Sequence, residues 1–328
     1  MRAKSFLGFC PPLTSKKGIA MVVLRRALAA VLLLFSASCV LAQTLALTFD
    51  DGLDPSAEPA AASWNRQILK SLRDAGISSM VFPSLVRTGR GEGLDLIGDW
   101  GRAGHAIGNH TSQHRSLGSP QVPLADFIGD VKEAGAVLSR VPGWSKMLRF
   151  PYLKEGNTLA KRDGMRLWMQ AAGYRAAPVS IDASDWYYNQ VYVAWLNEAN
   201  AAKADQVKAA YIAHLLDRAA YYDGLAREVL GRSPAHVMLL HTNRINAAAL
   251  DELIRAFRDR GWSFTTATSA FEDPIYTEQI DTLPAGESIL WASAKAAGIP
   301  GLRYPAEDSV YEAPTLRAQG LMPAHMPQ

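Results

Sequence analysis

The chain has 328 residues, with 34 Lys and Arg against 31 Asp and Glu, and 48% of its side chains are apolar. That length holds one large α/β domain or two small ones, and the composition excludes a disordered chain or a polytopic membrane protein. The formal charge of +3 does not point to nucleic acid, because the N-terminus carries a disproportionate share of the basic residues.

Arg25 and Arg26 precede the apolar run Ala27–Phe35 and a small-residue site at Val40–Ala42. This is the pattern of a secretory signal peptide, too short in its apolar part to span a bilayer. We expect cleavage after Ala42, with Met1 or Met21 as the start. Residues 1–42 hold six basic side chains and no acids, so the remainder has 28 basic against 31 acidic groups and a net charge of about −3. Cys10 and Cys39 both lie before the cut. The mature chain then has no disulfide, thiol nucleophile or thiolate metal site. Lipid anchoring at Cys39 is the alternative, but Ser36-Ala37-Ser38 lacks the usual leucine.

From Gln43 onwards short apolar runs alternate with helical periods. The expected strands are 45–49, 79–85, 105–108, 147–150, 174–181, 237–240 and 262–265. The expected helices are 60–75, 94–103, 124–140, 164–172 and 247–259. Such alternation implies parallel βα units, and about seven of them imply a distorted (β/α)7-type barrel with its chemistry at the C-terminal strand ends. Residues 188–232 interrupt the pattern with a helical insertion, one long helix or two, whose apolar positions include Val207, Tyr211, Leu215, Tyr222, Leu225 and Val229. The barrel is expected to occupy 43–270, insertion included. Residues 271–328, rich in proline and without a clear period, are expected to pack on it as a tail.

The reactive side chains fall at the expected strand ends. Asp50 and Asp51 end the first strand in TFDDG. His110 and His114 follow the third in HTSQH, Arg149 ends the fourth in RFPY, Asp182, Asp185 and Trp186 follow the fifth in DASDW, and His241 ends the sixth in LLH. Histidines at i and i+4 share one face of a helical turn and can grip one cation. A carboxylate from the Asp50-Asp51 pair supplies a third ligand, and two His with one carboxylate leave open positions, as in catalytic sites. Binding offsets the repulsion within the acid pair and leaves the second acid free as a general base. Arg149 can orient that free carboxylate, and Pro151 stiffens a backbone N–H that can face an oxyanion. His241 near Asp182 favours the imidazolium, which can protonate a leaving amine. Trp186, Met238 and Leu240 read as packing, and His105, His214, His236 and His325 as structural or solvated.

The five motifs, in this order from Leu45 to Thr266, resemble those of the polysaccharide deacetylases, carbohydrate esterase family 4 with its NodB-homology domain. The resemblance implies a divalent metal, zinc, with cobalt or manganese as alternatives, held by Asp51, His110 and His114. It implies Asp50 as the base oriented by Arg149, the Tyr152 backbone N–H as oxyanion donor, and His241 as the acid tuned by Asp182. Trp186, Met238 and Leu240 would line the acetyl pocket. The implied reaction is hydrolysis of an N-acetyl group on an exported or envelope glycan by a periplasmic or secreted enzyme, with no nucleic-acid partner and no stable membrane span. An O-acetyl esterase or small-amide hydrolase would use the same water attack, and a non-catalytic glycan-binding module is the reading from another class. The chain departs from the family at Leu53, where proline is usual, and at Thr242-Asn243 after the last motif. Those departures and the insertion bear on the substrate rather than on the reaction.

Overall fold

In the computed structural model the described residues are 43–326 and Gly8. The expected leader, its cleavage site and both cysteines lie outside them. Strand β1 (Thr44–Asp51) is apolar through Phe49 and buried along nearly its whole length, as expected of a parallel strand covered on both faces. It sits between β2 (Met80–Pro83) and β7 (Ala235–His241), both parallel to it. The sheet continues through β3 (Ala106–Asn109) and β4 (Trp144–Leu148) to β6 (Arg175–Ala176), while β8 (Ser263–Phe264) pairs with the start of β1. Just beyond β6, Ile181 bridges Met238 of β7 in parallel. The single segment 175–181 therefore meets both ends of the curled sheet, β4 on one side and β7 on the other. This is the distorted βα barrel the alternation predicts.

Helices cover the outside. Ala61–Ala75 and Arg244–Asp259 pack against one another and bury Ile68 and Leu72 from the first, with Leu250, Leu253 and Phe257 from the second. Each such side chain contributes about 1.5–3 kcal/mol when fully removed from water. The first helix stops at Gly76, whose φ of 68° makes a left-handed cap with its N–H on the Leu72 and Arg73 carbonyls. Trp100, fully buried on the helix Glu92–Arg102, packs on Phe49 and donates its indole N–H to Asn65 Oδ1 at 2.7 Å. Phe49 thus faces the helices, and its neighbours Thr48 and Asp50 face the barrel interior, because side chains alternate along a strand.

The insertion forms two helices, Asp185–Asn197 and Ala201–Leu230. The chain breaks between them at Ala199, φ 54°, and restarts with the Asn200 side chain accepting the Lys203 N–H at 3.1 Å. The longer helix buries Val207, Tyr211, Leu215, Ala219, Tyr222 and Ala226. It packs on its partner helix, on Arg244–Asp259 and on the tail helix Ile289–Ala296. The tail holds a second helix, Ser309–Ala318, and a short strand, β9 (Ala285–Gly286), antiparallel to β5 (Lys154–Gly156). These helices have 8 and 10 residues, too few turns for a period to stand out in the sequence. Among the described residues no helix is long and apolar enough to cross a membrane.

Candidate active site

The acid pair that ends β1 separates at once. Asp50 keeps the interior direction of Thr48 and is 1% exposed. Arg149, fully buried at the end of β4, sets Nη1 3.1 Å from Asp50 Oδ1 and 3.4 Å from Oδ2. Its Nη2 donates to Thr48 Oγ1 at 3.1 Å, its Nε donates to the Ala177 carbonyl, and its guanidinium lies 4.5 Å from the Phe82 ring centroid. Burial pulls the Arg149 pKa downwards, and the Asp50 charge opposes it. A buried pair is tolerated when its remaining hydrogen-bonding groups are satisfied, and here every guanidinium nitrogen has a partner.

Asp51 turns away at φ 79°, a left-handed backbone that is uncommon for a residue other than glycine and that clusters at functional sites. Gly52 follows at φ 90°, where an added Cβ would stand 2.2 Å from Thr88 Cγ2, so only glycine fits. Thr242 fastens this turn. Its Oγ1 accepts the Gly52 N–H at 2.8 Å and donates to the Asp50 carbonyl at 3.2 Å.

Both motif histidines reach the same spot, though not by the expected route. Residues 110–114 form an irregular loop rather than a helical turn, with Thr111 at φ 69° and His114 at φ 52°. Asn109 Oδ1 accepts the Thr111 N–H at 2.8 Å, and Thr111 Oγ1 accepts the His114 N–H at 3.0 Å. These side-chain bonds replace the helical ones. His114 Nε2 is 3.2 Å and His110 Nε2 3.9 Å from Asp51 Oδ1. His110 Nδ1 is 2.8 Å from the Arg149 carbonyl, which fixes the proton there and leaves Nε2 with its lone pair. Burial lowers the His110 pKa to about 4, so the ring is neutral at physiological pH. Burial raises the Asp51 carboxyl, but the His114 contact and the fields of His241 and His110 outweigh it and hold it well below the usual range.

The donor set fits a divalent cation. One atom from each of Asp51, His110 and His114 lies within 4.8 Å of the others. Asp51 Oδ1 is buried without a hydrogen-bond partner; its contact with His114 has the distance of a hydrogen bond but not the geometry. An orphaned anionic oxygen between two imidazoles is costly without a cation. Tyr152 stands beside this group, its ring centroid 4.8 Å from that of His114 and its backbone at φ 57°, ψ 18°.

Opposite Asp50 stands His241, its register partner at the end of β7. The carboxylate that meets it is Asp185, not Asp182. Asp185 Oδ1 is 2.6 Å from His241 Nδ1, and Oδ2 accepts the His241 N–H at 2.8 Å. Asp185 is fully buried and takes further bonds from Asn243 at 3.1 Å and Asn246 at 3.0 Å, and Tyr211 holds Asn246 in turn at 2.5 Å. Burial opposes protonation of His241, but the charge and hydrogen bond of Asp185, with the fields of Asp51 and Asp50, raise its pKa to about 10. Asp182 is bonded to the Ala183 N–H at 2.8 Å. Desolvation, aided by the Glu307 charge, raises its pKa to about 8. Sequence alone offers two acids in DASDW. Only Asp185 opens a helix, and that places it against the end of β7.

Met238 and Leu240 also depart from expectation. The register pairs Leu240 with Phe49 and Leu239 with Thr48, so Leu240 and Met238 take the helix-facing side and Leu239 shares the interior face with His241. Strand alternation was the available signal. Trp186 is half-buried one residue beyond Asp185, with its ring 5.6 Å from that of Tyr187.

A curled parallel sheet thus carries an Asp–Arg pair, a His–His–Asp cluster and a His–Asp pair at its C-terminal strand ends. Residues 37–176 match the family model described as polysaccharide deacetylase. The matched stretch contains the first three motifs, and the last two lie beyond it. No curated protein matches the sequence. Among solved structures, peptidoglycan deacetylase PdaC from Bacillus subtilis is 21% identical over 70% of this chain and 90% of its own, with a TM-score of 0.47. Polysaccharide deacetylase Bc1974 from Bacillus cereus is 21% identical over 68% and 91%, with a TM-score of 0.49. The chitin deacetylase of the fungal pathogen Colletotrichum lindemuthianum is 19% identical over 70% and 88%, also with a TM-score of 0.49.

Proposed function

We propose that the chain removes N-acetyl groups from an N-acetylated sugar polymer or oligomer of the cell envelope or exterior, acting after export and loss of residues 1–42. The observation that carries this reading is the convergence of three units at one set of strand ends: Asp50 on Arg149, Asp51 with His110 and His114, and His241 on Asp185. Asp51, His110 and His114 would hold a zinc ion. When bound, such an ion supplies Lewis acidity and acidifies a water molecule at the site.

The chain's own groups do the rest. Asp50, fixed by Arg149, accepts the proton of the attacking water as that water adds to the acetamide carbonyl. The Tyr152 backbone N–H donates to the oxygen on which charge develops. His241 gives its Nε2 proton to the sugar nitrogen as the carbon–nitrogen bond breaks, while Asp185 steadies the opposite ring nitrogen. Acetate and a free amino sugar leave. Trp186 and Leu239 wall the acetyl methyl.

The test is acetate release by the zinc-loaded enzyme from N-acetylglucosamine oligomers, peptidoglycan, acetylated xylan and an aryl acetate. Release from the N-acetylated glycans supports the deacetylase reading. Release from the O-acetyl substrates alone replaces it with an esterase.

A further inference from the structure

A second group of metal-binding side chains lies away from the barrel mouth, where the helix Ala201–Leu230 meets the C-terminal segment. One nitrogen of His214 and one carboxylate oxygen each of Glu307 and Glu312 lie within 4.8 Å of one another. The side chains are 8%, 1% and 6% exposed. Each retains a buried atom with no hydrogen-bond partner: His214 Nε2, Glu307 Oε2 and Glu312 Oε1. Three orphaned atoms on three adjoining side chains are not ordinary packing, since each unsatisfied buried polar group costs about 1–3 kcal/mol.

Local partners account for only part of the cluster. Glu307 Oε1 receives Arg218 at 3.2 Å and the Tyr222 hydroxyl at 3.1 Å. Glu312 Oε2 is 3.3 Å from His214 Nδ1. The His214 ring is held by Tyr188, stacked at 4.7 Å between centroids. Arg218 offsets one of two buried carboxylates and leaves the second facing a histidine.

We propose that His214, Glu307 and Glu312 bind one zinc-type divalent ion, which clamps residues 307–312 to the insertion helix. One imidazole and two carboxylates suit zinc better than calcium or magnesium, which favour all-oxygen shells. Bonds of about 2.0–2.2 Å in a tetrahedron set neighbouring donors roughly 3.4 Å apart. His214 Nδ1 and Glu312 Oε2 already stand at 3.3 Å, and Glu307 Oε2 is the unpartnered oxygen left to join them. Among the described residues the acid beside this group, Asp217, is paired with Arg218, and the role we assign to the ion is structural. A cavity bordered by His214, Arg218, Arg303, Tyr311 and Glu312 gives solvent a path to it. The inference does not rest on the deacetylase reading.

The test counts zinc per full-length chain by elemental analysis, after chelator treatment and dialysis against micromolar zinc. Replacing His214 with alanine (His214→Ala) should lower the count by one equivalent, and Glu312→Gln, which keeps the side-chain volume, should do the same if the first variant folds poorly. The loss should recur in a His110→Ala background, where zinc should also raise the melting temperature only while His214 is present. A fall from two ions to one supports both sites, and a fall from one to none supports this site while denying the barrel-mouth one. An unchanged count in both variants overturns the proposal.

Discussion

The chain holds two His–carboxylate clusters of the same composition class in different surroundings. At the barrel mouth Asp51 ends β1 while His110 and His114 lie on the loop after β3, Asp51 and His114 with left-handed backbones, beside a fixed carboxylate on one side and a charged imidazole on the other. At the insertion, His214, Glu307 and Glu312 sit on two helices and the turn before one of them, with Arg218 and Tyr222 bonded to one oxygen of Glu307. In the first arrangement Asp50 and His241 are each held by a buried partner, Arg149 and Asp185, at the edge of the cluster. In the second, the neighbouring acid Asp217 is tied to Arg218. The contrast teaches that ligands alone do not make a reactive centre; the neighbours that can move protons do.

The largest expected effect comes from removing a ligand at the mouth. His110→Ala should abolish barrel-mouth metal binding and lower kcat/KM by roughly 10³-fold or more, since Lewis-acid stabilisation is worth several kcal/mol. Substitution of His214 should leave acetate release within about twofold, and equal losses at both clusters would erase the contrast. Next, Asp50→Asn should reduce kcat by roughly 10²–10⁴-fold while metal content stays the same, separating base from ligand.

Asp185→Asn is expected to cost less, on the order of 10²-fold, and to change the pH profile. An acid must be protonated to act, and Asp185, with the fields of Asp51 and Asp50, raises the His241 pKa to about 10, so activity should persist through mildly alkaline pH and fall near that value. Without the Asp185 charge the alkaline limb should move to lower pH. Asp182→Asn should leave the limb where it was, and a shift there instead would restore Asp182 as the partner. Smallest of all, Leu240→Val should lower the melting temperature by a few degrees with KM unchanged, because the side chain packs against helices. Leu239→Val should alter KM for the acetylated substrate.

The fold was largely legible because parallel βα units announce themselves through alternation, and segment 174–181 could be read as one strand although it serves both ends of the sheet. The candidate site residues were legible because each falls where an apolar run ends. What stayed hidden depended on direction rather than identity. Asp182 and Asp185 are three residues apart with the same chemistry, and only the start of a helix at Asp185 aims one of them at His241. Leu239 and Leu240 differ by a half-period that the register with β1 decides. His214 read as structural or solvated because its two glutamates lie about 90 residues further along, one on a short helix and one on the turn before it, where no pattern shows how they pack.

The most direct measurement compares acetate release from N-acetylglucosamine oligomers by the wild-type chain and Asp50→Asn, each stripped of metal and then reloaded with zinc. The account predicts release by the wild type only after reloading, and almost none by Asp50→Asn despite equal zinc content. Metal-independent release, or a zinc-loaded Asp50→Asn chain that turns over like the wild type, would contradict it.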